Sequence, residues 1–294
     1  MITSLLIAGY GDIGQRVAAL ALIEGIAVSA LVRSTEKASQ LAAQSILPIL
    51  GDLDDPAHPV SDLNAVAKTI LYTIPPPGGG EYDTRLRVFL GSVEPGSEPE
   101  AIVYLSTTGV YGDQQGAIVN EETPTKVTTS RARRRLDAEN ILLSWGKDRG
   151  VKIIILRVSG IYGPNRLPLN RLREGAPVLR SAESPFSNRI HADDLARLCL
   201  AAAEKGTNGE VINICDGETS TMTDYFNAVA AAFDLPLPPQ VTIDEAKVNM
   251  PPLLLSYFSE SRRLDNRRMR ERLGVNLLYP DLSSGLVACK RGHE

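Results

Sequence analysis

One hexapeptide near the start constrains this chain more than any other feature. Gly9-Tyr10-Gly11-Asp12-Ile13-Gly14 directly follows the apolar run Ser4–Ala8 and opens a helix-patterned stretch at 13–24. In a G-x-G-x-x-G between a buried strand and a helix, the first glycine permits the tight turn. The second lets the backbone approach a pyrophosphate, and the third lets the helix pack closely on the strand. The helix start adds free N–H groups and the positive end of its dipole. A plain glycine turn is the bland alternative, but the flanks and the position in the first βαβ unit favour dinucleotide binding.

The same alternation continues along the chain. Gly25 sits where a helix C-cap belongs, and Ala27–Val32 is the next strand. A helix at 36–44 leads to a strand at 46–50, which ends in Gly51-Asp52. Strands at 68–74 and 102–105, a long helix at 130–147 and a strand at 151–156 complete the pattern. This predicts an α/β protein with a doubly wound parallel sheet, a Rossmann fold. After Gly163, the prolines 164, 168, 177 and 185 punctuate shorter elements. Residues 1–163 therefore read as the NAD(P)-binding domain and 164–294 as a smaller C-terminal substrate-binding region. Glu210–Ile214 returns to the sheet after a helix at 193–205. Further helices are expected at 222–233 and 261–273.

The end of the second strand chooses between cofactors. A carboxylate there would bind the ribose 2′-OH of NAD, whereas arginine accommodates the 2′-phosphate of NADP. Arg33 stands at that point, followed by Ser34, Thr35 and Lys37, with Glu36 the first carboxylate. An arginine fork suits a phosphate dianion, so NADP is favoured over NAD. Thr73, Ile74 and Pro75 end the fourth strand at the carboxyl edge, where a cofactor would lie. The Pro75–Gly80 run is either a lid with glycine freedom or an exposed connector.

Composition narrows the class. The 294 residues carry 31 Lys+Arg against 35 Asp+Glu, a net charge of -4, which argues against a nucleic-acid scaffold. Three cysteines without a CxxC pair make neither a disulfide framework nor a structural zinc site, and no metal site is expected. No apolar run approaches the roughly 18 residues of a membrane span. The opening residues lack a basic leader region, so a cytoplasmic protein with a small-molecule substrate is expected.

The chain resembles the extended and atypical short-chain dehydrogenase/reductases, in particular the NAD-dependent epimerase/dehydratase family. Gly51-Asp52 is similar to that family's third-strand Asp, and the resemblance places the adenine against Asp52 and Leu53. Leu105-Ser106-Thr107-Thr108-Gly109-Val110-Tyr111-Gly112 resembles its "SS-x-x-VYG" segment. Leu156-Arg157-Val158-Ser159-Gly160-Ile161-Tyr162-Gly163-Pro164 resembles "LR-x-x-x-IYGP", and Arg189-Ile190-His191-Ala192-Asp193-Asp194-Leu195-Ala196 resembles "IHVDDLA". The resemblance implies hydride transfer at a carbonyl or carbinol carbon, a nucleotide-sugar-like substrate and a homodimer formed through the long helices.

One departure stands out. Relatives carry Tyr-x-x-x-Lys at the start of the long helix, ahead of a glutamate that corresponds to Glu139. Counting back puts Arg131 and Arg135 at those positions, or Ser130 and Arg134 one register away. Arginine stays protonated and is a poor acid or base. Thr107 matches the family's Ser/Thr that hydrogen-bonds the substrate oxygen. Tyr111 either supplies the missing phenol or packs in the "VYG" turn. Arg135 or Arg131 either clamps an anionic substrate or belongs to a solvated charge run, Arg131-Ala132-Arg133-Arg134-Arg135. His191 reads as a packing residue rather than a base, and Asp194 as a helix-start acid. The arginines between 262 and 272 read as a solvated basic helix. An NADP-dependent oxidoreductase is thus the leading reading. A non-catalytic NADP(H)-binding sensor is the alternative, and a reductase of small quinones or carbonyl compounds a weaker third.

Overall fold

The computed structural model describes residues 1–60, 63, 67–251, 255 and 258–291. Seven strands form the central sheet: β1 (Ser4–Ala8), β2 (Ala27–Val32), β3 (Leu47–Leu50), β4 (Thr69–Tyr72), β5 (Ala101–Thr107), β6 (Lys152–Val158) and β7 (Glu210–Ile214). Their order is β7-β6-β5-β4-β1-β2-β3, and every pairing is parallel. The order reverses beside β1, and the glycine motif follows β1, so the cleft opens at the switch point of the sheet.

The register explains why these strands read as continuous apolar runs. Ala30, Ile7, Leu71, Val103 and Ile154 stand side by side across β2, β1, β4, β5 and β6 on one face. Ala8, Tyr72, Tyr104 and Ile155 form a row on the other. Both faces are covered, so both need apolar side chains. Helices α1 (Asp12–Ile23) and α2 (Thr35–Ala42) and the helix Ala192–Lys205 cover the first face. Helices α3 (Thr84–Gly91) and α4 (Ser130–Arg149) cover the second. The doubly wound parallel sheet expected from the sequence is therefore the observed architecture.

Beyond β6 a smaller apolar cluster gathers Tyr162, Leu172, Tyr225, Phe226, Val229 and Leu286. Gly285 lies so close to the Tyr162 ring that a side chain there would collide with it. His191, 1% exposed, packs between the rings of Tyr162 and Tyr279. Its Nδ1 accepts the Asp193 N–H at 3.2 Å, capping the helix Ala192–Lys205, and burial lowers its pKa. Asp194 does more than face a helix dipole. Fully buried, its carboxylate accepts the N–H groups of Leu278 (2.7 Å) and Tyr279 (2.9 Å), pinning the C-terminal segment to the helix Ala192–Lys205.

One expectation needs correction, and two helices were not expected at all. The stretch 261–273 is not one helix: Arg263–Leu264 pairs with Ile118–Val119, and only Arg267–Leu273 is helical. The break follows from Asn266, whose side chain donates to the Cys215 carbonyl at 3.0 Å and ties the chain down just before the helix. Helices α3 and Leu282–Arg291 were not anticipated. Helix α3 is only eight residues long with a sparse apolar face, started by Asp83 accepting the Leu86 N–H at 3.0 Å. Among the described residues, no helix is long and apolar enough to cross a membrane.

Candidate functional site

A cleft of about 900 Å³ opens along the carboxyl ends of the strands. The glycine motif forms its floor. Gly9 has φ +109°, and a side chain there would strike Thr73 and the Ile74 backbone. The Thr73 hydroxyl donates to the Gly9 carbonyl at 2.7 Å, joining the turn after β1 to the end of β4. A side chain at Gly14 would run into the Gly9 carbonyl and Ile7. Gly11 caps α1 without a side chain, so no side-chain oxygen competes for the first N–H groups of the helix.

Asp12 begins α1 and also lines the cleft. Burial alone would raise the pKa of its carboxyl, but hydrogen bonds from Arg166 and Arg16 outweigh this and hold it below the usual range. Arg16 Nε lies 2.9 Å from Asp12 Oδ1, and Arg166 Nε bonds Oδ2. Arg16 also engages Asp193. Ile13 completes this part of the wall.

At the end of β2 the cleft turns cationic. Arg33 is exposed there, and Ser34 caps α2 by accepting the Lys37 N–H at 3.3 Å. The Lys37 ammonium sits 5.8 Å from the centre of the Tyr10 ring. Arg85, from α3, grips Asp54 with Nε at 2.8 Å and Nη2 at 2.6 Å, and donates from Nη1 to the Pro75 carbonyl at 2.9 Å. This fork keeps the Asp54 carboxyl below its ordinary pKa, with a smaller contribution from Arg33. Asp52 and Leu53 line the same stretch, and the Asp52 carboxylate accepts the Asp54 N–H at 2.9 Å.

The other end is built on β5 and α4. Leu105, Ser106 and Arg135 line it, with Val158 and Ile161. Arg135 Nη1 donates to the Leu105 carbonyl (2.9 Å) and to the Tyr104 hydroxyl (3.2 Å). Burial pushes the Tyr104 phenol up to about 12, so it is no ready acid. Thr107 ends β5 beside the lining residues, and its Oγ1 accepts the Gly109 N–H at 3.1 Å, leaving the hydroxyl proton for another acceptor. Beneath the surface, Ser106 Oγ donates to Glu139 Oε1 at 2.5 Å. Arg157 Nη2 binds Glu139 Oε2 at 2.7 Å, and both residues of that ion pair are buried.

Tyr111 lies away from the cleft lining, and the α4 arginines depart from their reading as a charge run. Tyr111 is fully buried, its hydroxyl donates to Asn213 Oδ1 at 2.8 Å, and the Arg157 guanidinium lies 4.9 Å from its ring centre. Burial raises its pKa. Its position is that of a packing residue, because the turn at Gly112 folds it inward; among the described residues, Tyr10 is the tyrosine that lines the cleft. The α4 arginines are not a solvated charge run. Arg134 is 9% exposed and donates to the Gly80 carbonyl, while Arg133 pairs with Glu81 at 2.9 Å. With Arg85 on Pro75, they tether the glycine-rich loop at both ends. Asp54, Arg85, Ser106 and Arg166 escaped sequence reasoning. Asp54 is two residues from Asp52 and was within reach of it, whereas Arg85 and Arg166 carry no local signal. Among the described residues, no group of three or more His, Cys, Asp or Glu is placed to hold a metal.

Residues 94–215 match the NAD dependent epimerase/dehydratase family. Protein YeeZ of Escherichia coli K12 is 29% identical over 61% of this chain and 59% of its own length. The match therefore spans less than two thirds of that relative. A solved structure of a functionally unknown conserved protein from Silicibacter pomeroyi is 29% identical, covers 99% of both chains and superposes with a TM-score of 0.84. UDP-glucuronic acid 4-epimerase from Bacillus cereus, solved in complex with NAD, is 18% identical over 99% of this chain and 100% of its own, with a TM-score of 0.75. At that identity the likeness is one of fold.

Proposed function

Proceeding from its kinship with the NAD-dependent epimerase/dehydratase family, we propose that this protein is an NADP(H)-dependent oxidoreductase. The observation that carries the reading is the cationic end of the cleft, where Arg33, Ser34 and Lys37 follow β2 in line with the glycine motif. Gly9, Gly11, Asp12, Ile13 and Gly14 would receive the pyrophosphate region, Asp52 and Leu53 the adenine, and Thr73, Ile74 and Pro75 the middle of the cofactor. When bound, NADPH supplies a hydride from the nicotinamide ring to a carbonyl carbon, or NADP takes one from a carbinol.

The chain's own contribution at that end is electrostatic. Thr107 Oγ1 accepts the Gly109 N–H, and its own hydroxyl proton would donate to a substrate oxygen. Arg135 falls at the lysine position in one of the two registers of the resembled Tyr-x-x-x-Lys, and its charge would stabilise negative charge developing on that oxygen. Residues 164–294 would supply the substrate side, and nucleotide sugars are the class suggested by relatives such as the UDP-glucuronic acid epimerase. Competition by UDP would test that class.

Calorimetric titration with NADPH and NADH, repeated on Arg33→Ala, tests the cofactor assignment. A charge-assisted hydrogen bond to a phosphate is worth about 1.5–3 kcal/mol, so the variant should lose roughly 10- to 100-fold for NADPH and little for NADH. Equal affinity for the two cofactors in the parent protein would sink the NADP assignment. A second reading, a non-catalytic NADP(H) sensor, is favoured by arginines at the Tyr and Lys positions and by the interior placement of Tyr111. Stoichiometric oxidation of bound NADPH by any carbonyl metabolite would remove it.

A further inference from the structure

We infer that Arg166 is a pyrophosphate-binding residue held in waiting by Asp12: it gives up the carboxylate and grips the dinucleotide when the cofactor enters. The inference rests on the proposed NADP(H) reading. Arg166 follows the short strand Gly160–Tyr162, far along the chain from the glycine motif, yet it lines the same cleft. Its backbone is fixed in a tight turn. Gly163 has φ +148°, Asn165 has φ +65°, and the Arg166 N–H donates to the Gly163 carbonyl at 3.0 Å. Its side chain is 32% exposed and can change partner by rotamer alone.

Asp12 makes the exchange reasonable. A carboxylate in the first turn of α1 lies where the helix would otherwise offer its N–H groups to a phosphate, and the two anions repel. Asp12 is shared between two guanidinium groups, Arg16 and Arg166. Arg16 belongs to α1 itself and is also engaged by Asp193, so it is anchored. If Arg166 leaves, Asp12 keeps a partner at 2.9 Å and no charge is stranded. The mobile member of the cluster is thus the one that reaches in from the far side of the chain. Its planar fork matches two phosphate oxygens better than a carboxylate already held by another arginine.

The test compares NADPH with 2′-AMP, which carries the 2′-phosphate but no pyrophosphate, on the full chain by calorimetry. Arg166→Ala should weaken NADPH roughly tenfold or more, the scale of a lost charge-assisted contact, and leave 2′-AMP unchanged. Arg166→Lys should fall between, and Asp12→Asn, which frees Arg166, should tighten NADPH. Unchanged NADPH affinity in Arg166→Ala, or equal weakening of NADPH and 2′-AMP, would overturn the inference while leaving the cofactor reading intact. Failure of the parent protein to bind either compound would overturn the reading, and the inference with it.

Discussion

The two ends of the cleft are built from the same residue types to opposite purposes. At the glycine-motif end the charges are part-exposed: Asp54 with Arg85, Asp12 with Arg166, and Arg33 at the rim. Such pairs add little to stability, because water screens them and side-chain entropy opposes them. They are correspondingly free to meet a phosphate. At the β5–α4 end the ion pair Glu139–Arg157 is buried, and Ser106 is committed to it. There the charges hold the fold, while Thr107 and Arg135 beside them are half-buried, and on the proposed reading they would face the substrate. On the proposed reading, half-exposed charge belongs to the end that would bind and buried charge to the end that would orient.

Breaking the buried pair should give the largest effect. Glu139→Gln strands the Arg157 guanidinium, which is 7% exposed, and should cost about 3–5 kcal/mol of stability, read from denaturant midpoints. A loss below about 1 kcal/mol would erase the distinction between the two ends.

A second test uses pH. Asp216 lies just beyond β7, and burial raises its pKa to about 7. The folded state thus holds this proton more tightly than the unfolded chain. Its stabilising contribution is complete below the ordinary carboxylate range and is lost as pH rises toward 7, by at most about 4 kcal/mol. Asp216→Asn should flatten the fall in stability between pH 4 and 7, and unchanged pH slopes would show that Asp216 titrates normally.

The smallest effect is expected at Tyr111. Removing its hydroxyl leaves Asn213 Oδ1 without this donor, a loss of about 1–3 kcal/mol, while NADPH affinity and any turnover should be preserved in Tyr111→Phe. Abolished turnover with normal cofactor binding would instead restore Tyr111 as the proton carrier and undo its reading as a packing residue.

Much of this was legible in the residues alone. The G-x-G-x-x-G, the buried runs of β1, β2 and β4–β7 and the arginine after β2 follow from short-range chemistry: tight turns, two-sided burial and strand-end charge. Helix α3 and the split before Arg267–Leu273 were not legible. A short helix has a weak period, and Arg263–Leu264 becomes a strand only because Ile118–Val119 lies beside it. The α4 arginines misled for the same reason. Read along the helix they are a charge run, and only the approach of Gly80 and Glu81 turns them into clamps.

By itself, then, the sequence determined the strands, the crossover helices other than α3, the glycine turn and the cationic rim, because each rests on neighbours a few residues apart. Tertiary structure alone decided that Tyr111 points inward to Asn213, that Arg85 locks Asp54, and that Arg166 meets Asp12 across the cleft. Those partners are separated by tens to more than a hundred residues, and no local pattern encodes which distant side chain will neutralise a given charge.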